Sequence, residues 1–381
     1  MSPLAALRLS RTPATAFVVV GLYWGAFAAH VPQIKAWIGA SDGAFGALML
    51  SSALGLVSAM WLAPRADRVF GAGGMPLALL FLAAAFLLPG LATGAASFAL
   101  AMLLAGAASG LTDVLMNARV SELEARHSRS LMNANHGAFS AAYALSAIAA
   151  GLAREAGAAP VVVFAALGLA TLALAPALSM APTRASPAGH PAPRASPLRP
   201  VMMCGAIVLV AFMAEATVES WAALFIERDL GGSAAQGALG PAMLGLTMAL
   251  GRFSGQALSA RMRPSQVVTW ASAMAAGGAL IAAAAPAPAV AYAGFAVLGL
   301  GVSVVGPMGL AMVGQLVAPA DRTAAIARTA VIGFSGFVIA PVLMGGISEL
   351  AGLAAAFAAV ALLLALAPLP LPWIRARNPL L

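Results

Sequence analysis

Two acidic residues interrupt a long apolar run near the middle of the chain. Glu215 and Glu219 lie in the run 211–226, and because they are four residues apart they share one face of a helix. An acid at the centre of a membrane helix costs roughly 2.5–3.5 kcal/mol. Two acids on one face therefore indicate a water-filled path, a cationic partner or a bound proton. We predict that Glu215 and Glu219 exchange protons, although Glu219 could instead reach water at the outer end of its helix.

Two more charged residues fall within or beside apolar runs. Arg252 lies inside an apolar run and needs an acidic partner or water. Glu215 or Glu219, on the preceding run, is its natural partner, and such a pair could be exchanged for a proton. Asp113 lies near the end of another apolar run, where it could couple or gate transport, or simply pair with a nearby arginine. We expect proton coupling to involve Glu215, Glu219, Asp113 and Arg252.

Polar and aromatic side chains recur at helical spacing in two earlier segments. His136, Ser140 and Tyr143 share one helix face, and an imidazole and two hydroxyls suit a hydroxylated solute. The same groups could instead make interhelical hydrogen bonds. A second stripe in the first apolar run consists of Tyr23, Phe27 and His30. Its aromatic rings could stack on sugar rings or could simply pack against neighbouring helices. The expected substrate contacts are Tyr23, Phe27, His30, Asn133, His136, Ser140, Tyr143 and Trp221.

The composition indicates what carries these residues. Of the 381 residues, 62% are hydrophobic and 8% are charged, whereas a soluble protein has about 25% charged residues. A membrane span needs about 20 apolar residues, and counting at that length predicts twelve spans. They cover 14–34, 44–63, 74–93, 96–118, 134–154, 158–180, 201–226, 236–260, 266–285, 289–315, 325–348 and 351–372. The expected fold is an all-α integral membrane protein with two six-helix bundles.

The central break and the arginines give the predicted organisation. Residues 183–200 are rich in proline, alanine and serine and cannot span a membrane, so they are predicted to link bundles at 1–182 and 201–381. If both termini are cytoplasmic, all but four of the 20 basic residues lie inside. The exceptions are Lys35, Arg154 and Arg228 outside and Arg252 within a span. The asymmetry predicts a multi-pass membrane protein with both termini in the cytoplasm. Lysine occurs once while arginine is common, which indicates a GC-rich bacterial genome, so we expect the bacterial inner membrane.

Other functional classes find no support in the sequence. The net charge of +8 is spread over short loops and forms no basic face, so nucleic acid is not an expected partner. There is no phosphate-binding loop, no metal-ligand cluster and no catalytic serine–histidine–aspartate group. We expect a transporter, not an enzyme, that has no cofactor or metal, works as a monomer, and has a small molecule, protons and the lipid bilayer as its partners.

Two related stretches indicate an internal repeat and a family. The stretch 63–71 (APRADRVFG) follows the second span, and 255–263 (GQALSARMR) follows the eighth. The first resembles roughly the G-x-x-x-D-R-x-G motif of the major facilitator superfamily, with Asp67 and Arg68 matched, Ala63 replacing the first glycine and Gly71 one position beyond the last. The second keeps Arg261. The resemblance implies a gate in which this loop pairs with helix ends across the two bundles, although a topology signal and helix cap would look similar. The expected gating residues are Asp67, Arg68, Arg261 and Arg328.

Three further stretches resemble the fucose-permease-like branch of that superfamily. They are 30–50, 113–124 with 131–147, and 215–231, although His30 stands where the branch would have arginine. This resemblance implies proton-coupled uptake of a sugar-like polar solute by alternating access. The alternative is proton-coupled efflux of drugs or metabolites. The fifth span lacks the Gly-Pro motif of drug antiporters, which counts against efflux.

Overall fold

The computed structural model describes residues 1–182, 198–259, 262–318 and 321–378, with the backbone alone for 255–259 and Thr323. Within these ranges all regular structure is helical. The helices are α1 (Pro3–Leu9), α2 (Arg11–Trp37), α3 (Asp42–Phe70), α4 (Gly74–Leu87), α5 (Ala95–His127), α6 (Met132–Glu155), α7 (Pro160–Leu174), α8 (Leu198–Leu224), α9 (Ala234–Ser259), α10 (Pro264–Ala283), α11 (Pro288–Leu316), α12 (Arg322–Leu366) and α13 (Leu371–Arg377). The all-α prediction is confirmed.

Each predicted span falls on one of the helices α2 to α12. In the described part of the chain, nine stretches are long and apolar enough to cross a membrane. Two of them, Asp42–Leu91 and Ala324–Arg377, each cover two predicted spans. The first is interrupted by the 3₁₀ turn Gly71–Gly73, and the second by Gly352 at φ 84°. That left-handed conformation favours glycine, so these two chain reversals occur where the sequence supplies it.

The helices pack as two groups, which we call the N half (α1–α7) and the C half (α8–α13). Within the N half, α2 packs on α6 and α3 on α5; within the C half, α8 packs on α12 and α10 on α11. The two halves meet where α6 packs on α9 and α3 on α12. These contacts pair the fifth span with the eighth and the second with the eleventh, so they are equivalent under a parallel repeat of six spans.

The interface between α3 and α12 is close because both helices have glycine there. A Cβ atom at Gly46 would overlap the carbonyl oxygen of Pro341, and one at Gly345 would lie 2.5 Å from the carbonyl oxygen of Asp42. Small residues allow membrane helices to approach in this way. We call this end, which carries the α2–α3 loop, the outer end, and the opposite end, which carries Arg68, the inner end; the names follow the predicted orientation. The halves are thus in tight contact at the outer end.

Candidate transport site

The centre of the site is an arginine that contacts both halves. Arg252 of α9 lies with its Nη2 atom 3.2 Å from Oε1 of Glu215 on α8, and both side chains are largely buried. Its Nη1 atom donates to the Ser140 hydroxyl and, at 3.4 Å, to the backbone carbonyl of His136, both on α6. Arg252 therefore connects the C-half acid to the opposite half, and its charge is neutralised within the protein, as a membrane interior requires.

Glu219 lies one turn further along α8 and is in a different situation. It is only partly buried, and among the described residues it makes no hydrogen bond or ion pair. It still lies close enough to Glu215 and Arg252 to interact with their charges. No group of three or more histidine, cysteine, aspartate or glutamate side chains in the described ranges could hold a metal ion. The site thus contains one acid held by arginine and a second acid open to another partner.

Tyr143 completes the α6 wall of the site. Its side chain is 2% exposed, and its hydroxyl has no hydrogen-bond partner among the described residues. It lies within electrostatic range of both glutamates. The ring packs against α9 because Gly245 stands opposite, where a Cβ atom would lie 2.8 Å from the ring. A buried hydroxyl without a partner is costly, so a bound solute or water could satisfy it.

Other predicted substrate contacts lie around this centre. His136, on the α6 turn before Ser140, makes an edge contact with Phe17 at 4.9 Å between ring centroids. Asn133 is exposed at the inner end of α6, where it borders a small cavity with Arg252. Trp221 is fully buried towards the outer end and contacts Phe45 of the N half at 5.6 Å, and its indole nitrogen has no partner among the described residues. These three residues therefore flank the site at different depths.

The aromatic stripe of α2 does not reach the site. The Tyr23 hydroxyl is 3.1 Å from that of Thr171 on α7, Phe27 packs on Phe86 of α4, and Nδ1 of His30 lies 2.7 Å from the carbonyl oxygen of Ala26. The opposite face of α2 packs on α6 through its glycines. The stripe is therefore directed into the core of the N half, and substrate contact by these three side chains has no geometric support.

Asp113 has a different partner from those the sequence suggested. Its carboxylate accepts a hydrogen bond from the Asn117 amide at 2.9 Å, one turn along α5. Arg119, an arginine near Asp113 in the sequence, instead contacts Glu122 at 2.7 Å, Asp67, and the carbonyl oxygen of Met180. The Asp113 carboxylate is thus held within α5 of the N half, and its hydrogen bond to Asn117 gives it no connection to Arg252.

Asp67, one of the predicted gating residues, is paired within the N half. Asp67 pairs with the buried Arg119 of its own half, not with a helix end across the interface as predicted. The physical reason is that the packing of α3 on α5 brings the buried Arg119 into contact with Asp67 inside the N half. Arg68 and Arg328 are exposed at the inner end. Arg261 lies outside the described residues.

Sequence reasoning missed a network of charges at the outer end. Asp42 lies 2.9 Å from Nζ of Lys35 and 2.8 Å from Nη1 of Arg228, and Arg154 pairs with Glu227. The sequence carried one signal for it. Only three basic residues were assigned to the outer side, and each of them is in an ion pair. Basic residues retained against the orientation rule are candidates for a specific role.

Comparison with known proteins identifies the family of the chain. The family model described as Major Facilitator Superfamily matches residues 204–380. The chain is 32% identical over 360 residues to an uncharacterized MFS-type transporter of Yersinia pestis, an alignment that covers 92% of this chain and 91% of the relative.

Solved structures share the fold. A bacterial homologue of the human lysosomal transporter Spinster superposes with a TM-score of 0.75 at 15% identity, covering 99% of this chain and 98% of that one. The nucleoside transporter NupG does so with a TM-score of 0.73 at 14% identity, covering 96% and 98%. The all-helical architecture is thus the major facilitator fold. The family model and the 32% identical relative make the protein a transporter, not an enzyme. The chain belongs to the major facilitator superfamily.

Proposed function

We propose that this protein is a proton-coupled secondary transporter that takes up a small, hydroxylated, sugar-like solute by alternating access. Membership of the superfamily gives the coarser statement, which is secondary transport of a small solute across a membrane. The coupling ion, the solute and the direction are our proposal. The two halves, proposed to be 1–182 and 201–381 joined by 183–200, would rock about the central site to expose it to each side in turn.

The observation that carries the proposal is the contrast between the two glutamates. Glu215 is neutralised by Arg252 at 3.2 Å, whereas Glu219 has no partner among the described residues. A carboxylate in a membrane interior is most cheaply kept neutral by a proton. The geometry therefore favours Glu219 as the residue that exchanges the proton, with Glu215 setting the position of Arg252.

The charges of the site limit the solute. When Glu219 is ionised, two carboxylates stand near one guanidinium group, so an anionic solute would meet net negative charge and be repelled. The Tyr143 hydroxyl, the partly exposed His136 and the Glu219 carboxylate can bind the hydroxyl groups of a neutral solute. Nucleosides also carry such groups, and the nucleoside transporter NupG shares the fold. We therefore place sugars and nucleosides first among the candidates.

The proposed cycle uses Arg252 as the connection between ion and solute. A proton on Glu219 removes one negative charge beside Arg252 and Glu215, which changes the balance of charges that holds Arg252 between α8 and Ser140 of α6. The strength of the contact between the two halves through Arg252 then depends on whether Glu219 is ionised. We place the protein in the bacterial inner membrane with both termini in the cytoplasm, and we expect it to be monomeric. The arginine distribution supports that orientation.

A thermal-stability screen followed by an accumulation assay tests the proposal. The purified protein is screened against sugars, sugar acids, nucleosides, amino acids and lipophilic cations at pH 5.5 and 7.5, because a solute that binds the folded state raises the melting temperature. The best solute is then used in liposomes with an imposed pH gradient. We expect Glu219→Gln to keep solute exchange but lose gradient-driven accumulation. Normal accumulation by this variant would refute Glu219 as the coupling residue.

Proton-coupled efflux is the second candidate, and one observation favours it. The excess of carboxylates over arginine at the site would also suit a lipophilic cation, which would compete with the proton for Glu219. The screen separates the two candidates. Stabilisation by cations alone, with loss of that effect in Glu219→Gln, would favour efflux, whereas stabilisation by neutral hydroxylated solutes supports uptake.

A further inference from the structure

The outer end of α8 holds two elements of the other half with two adjacent residues of opposite charge. Glu227 pairs with Arg154 at the end of α6, and Arg228 pairs with Asp42 at the start of α3, with Nη1 at 2.8 Å from Oδ2. The two pairs therefore have opposite polarity across the interface between the halves. In one the N half supplies the base, and in the other it supplies the acid.

The local backbone explains how neighbouring residues reach different helices. Glu227 and Arg228 lie on the π-helical turn Phe225–Asp229 that ends α8. Successive residues on a helix point about 100° apart, so one side chain can face α6 while the next faces α3. Single π-helical turns occur frequently at functional sites. The turn therefore presents one charge to each of the two helices that meet the C half.

Further contacts of the same kind surround these two pairs. The Asp42 carboxylate also accepts a hydrogen bond from Ser348 of α12 and lies 2.9 Å from Nζ of Lys35. On the α6 side, Glu155 accepts hydrogen bonds at 2.6 Å from the Ser233 hydroxyl and from the Ala235 backbone. Among the described residues, the ion pairs that join the two halves all lie at this end.

We propose that Glu227 and Arg228, with their partners Arg154 and Asp42, form an outer clasp that holds the outer end shut and must be broken whenever the site opens to that side. Beneath it, Trp221 and Phe45 make an apolar contact between the halves. Arg228 of the clasp follows Glu215 by thirteen residues, which is about 20 Å along a helix. The inference concerns the opening of the outer end and does not depend on the solute or on the coupling ion.

The test measures how readily a cysteine below the clasp is reached from outside. Ala147 is fully buried and lies four residues beyond Tyr143, so it shares that face of α6 one turn nearer the outer end. The labelling reporter is Ala147→Cys combined with Cys204→Ala, which removes the natural cysteine. Its reaction with a membrane-impermeant maleimide is followed in intact cells. Thr93→Cys, exposed in an outer loop, is the marker that shows whether the outer end faces the reagent; if it does not, inverted vesicles are used.

The decisive variant exchanges the two charges of α8. E227R/R228E keeps the composition and net charge but places like charges opposite Arg154 and Asp42. We expect labelling of the reporter to accelerate about tenfold or more, because two charge-assisted contacts are lost. Adding K35E/D42R restores the α3 pair with reversed polarity and should slow the labelling again. The matched control is Asp229→Asn, which removes a 2.7 Å pair with Arg228 inside the C half and should leave the rate unchanged.

Two results would overturn the clasp. One is labelling of E227R/R228E as slow as that of the parent while the Thr93→Cys marker reacts rapidly. The other is an equal acceleration by Asp229→Asn, which would mean that the pairing between halves is irrelevant. Should E227R/R228E fail to reach the membrane, E227Q/R228Q removes both charges more gently and is judged by the same criteria.

Discussion

Arg252 of the C half donates a hydrogen bond to the Ser140 hydroxyl of the N half, while the same guanidinium group pairs with Glu215 of its own half. One side chain therefore joins the acid to the interface along which the halves must move. Because a hydrogen bond to a charged group is worth about 1.5–3 kcal/mol, its loss can shift a two-state equilibrium by tenfold or more.

Ser140→Ala tests this connection. The variant removes the hydroxyl but leaves the pair between Arg252 and Glu215, so we expect a change in transport rate of about tenfold with little loss of stability. The readout is initial uptake into liposomes of the most stabilising solute from the screen. Ser51→Ala is the matched control, because the Ser51 hydroxyl bonds within its own helix, at 2.7 Å to the carbonyl oxygen of Leu48. Equal effects of the two variants would contradict the role of Ser140.

Tyr143 and Tyr23 can be compared to separate a hydroxyl group that binds solute from one that stabilises the fold. The Tyr143 hydroxyl has no partner among the described residues, so Tyr143→Phe should not lower the melting temperature of the solute-free protein, and can raise it, but should weaken solute binding. The Tyr23 hydroxyl meets Thr171 inside the N half, so Tyr23→Phe should lower stability by about 1 kcal/mol and spare binding. Melting temperatures with and without solute distinguish the two. If Tyr23→Phe alone lost the rise in melting temperature caused by the solute, the α2 stripe would have to contribute to solute binding.

Adjacent glycines of α12 test the close contact at the outer end. A methyl group at Gly345 would press on the backbone of Asp42, whereas one at Gly346 would meet no atom within 4 Å. Gly345→Ala should therefore hinder closure of the outer end and speed labelling of the Ala147→Cys reporter severalfold. Gly346→Ala should close normally and be as stable as the parent or more so, because alanine is favoured over glycine in helices by up to about 1 kcal/mol. Similar labelling of both variants would show that the gap between α3 and α12 tolerates a methyl group.

A comparison of Arg119 with Arg68 tests which of the two arginines stabilises the N half. Arg119 is 2% exposed and uses three different nitrogen atoms for Met180, Glu122 and Asp67, so the single ammonium group of lysine cannot replace it. We expect Arg119→Lys to lower the melting temperature by several degrees. Arg68 is exposed, so Arg68→Lys should leave stability unchanged. A stable Arg119→Lys protein would indicate that these contacts contribute little to the N half.

Much of the fold and part of the site could be predicted because the membrane imposes simple rules. Long apolar runs gave the helices, including the two spans that continue through α12, and the cost of an acid in hydrocarbon pointed to Glu215 and Glu219. The same cost led to the expectation that Arg252 pairs with one of them, and the structure places it at Glu215. The assignment of the chain to the fucose-permease-like branch stays a prediction.

The remaining features depend on which helix faces meet, and that is not encoded locally. A helical stripe such as Tyr23, Phe27 and His30 shows only that the residues share a face. Whether that face lines a cavity or a core depends on the glycines of α2 packing on α6. Asp67 likewise has many possible cations in the sequence, and burial of Arg119 beside it selects one.

The sequence by itself determined the membrane class, the predicted spans and the acids that could exchange protons, because hydrophobicity and the cost of buried charge are properties of single segments. Only the tertiary structure decided that Glu215 is paired while Glu219 has no partner in the described part of the chain, and that Asp42 meets Arg228 from 186 positions away. The physical reason is that ion pairs act over a few ångströms in space, whatever the separation along the chain. They are therefore set by the packing of the two halves.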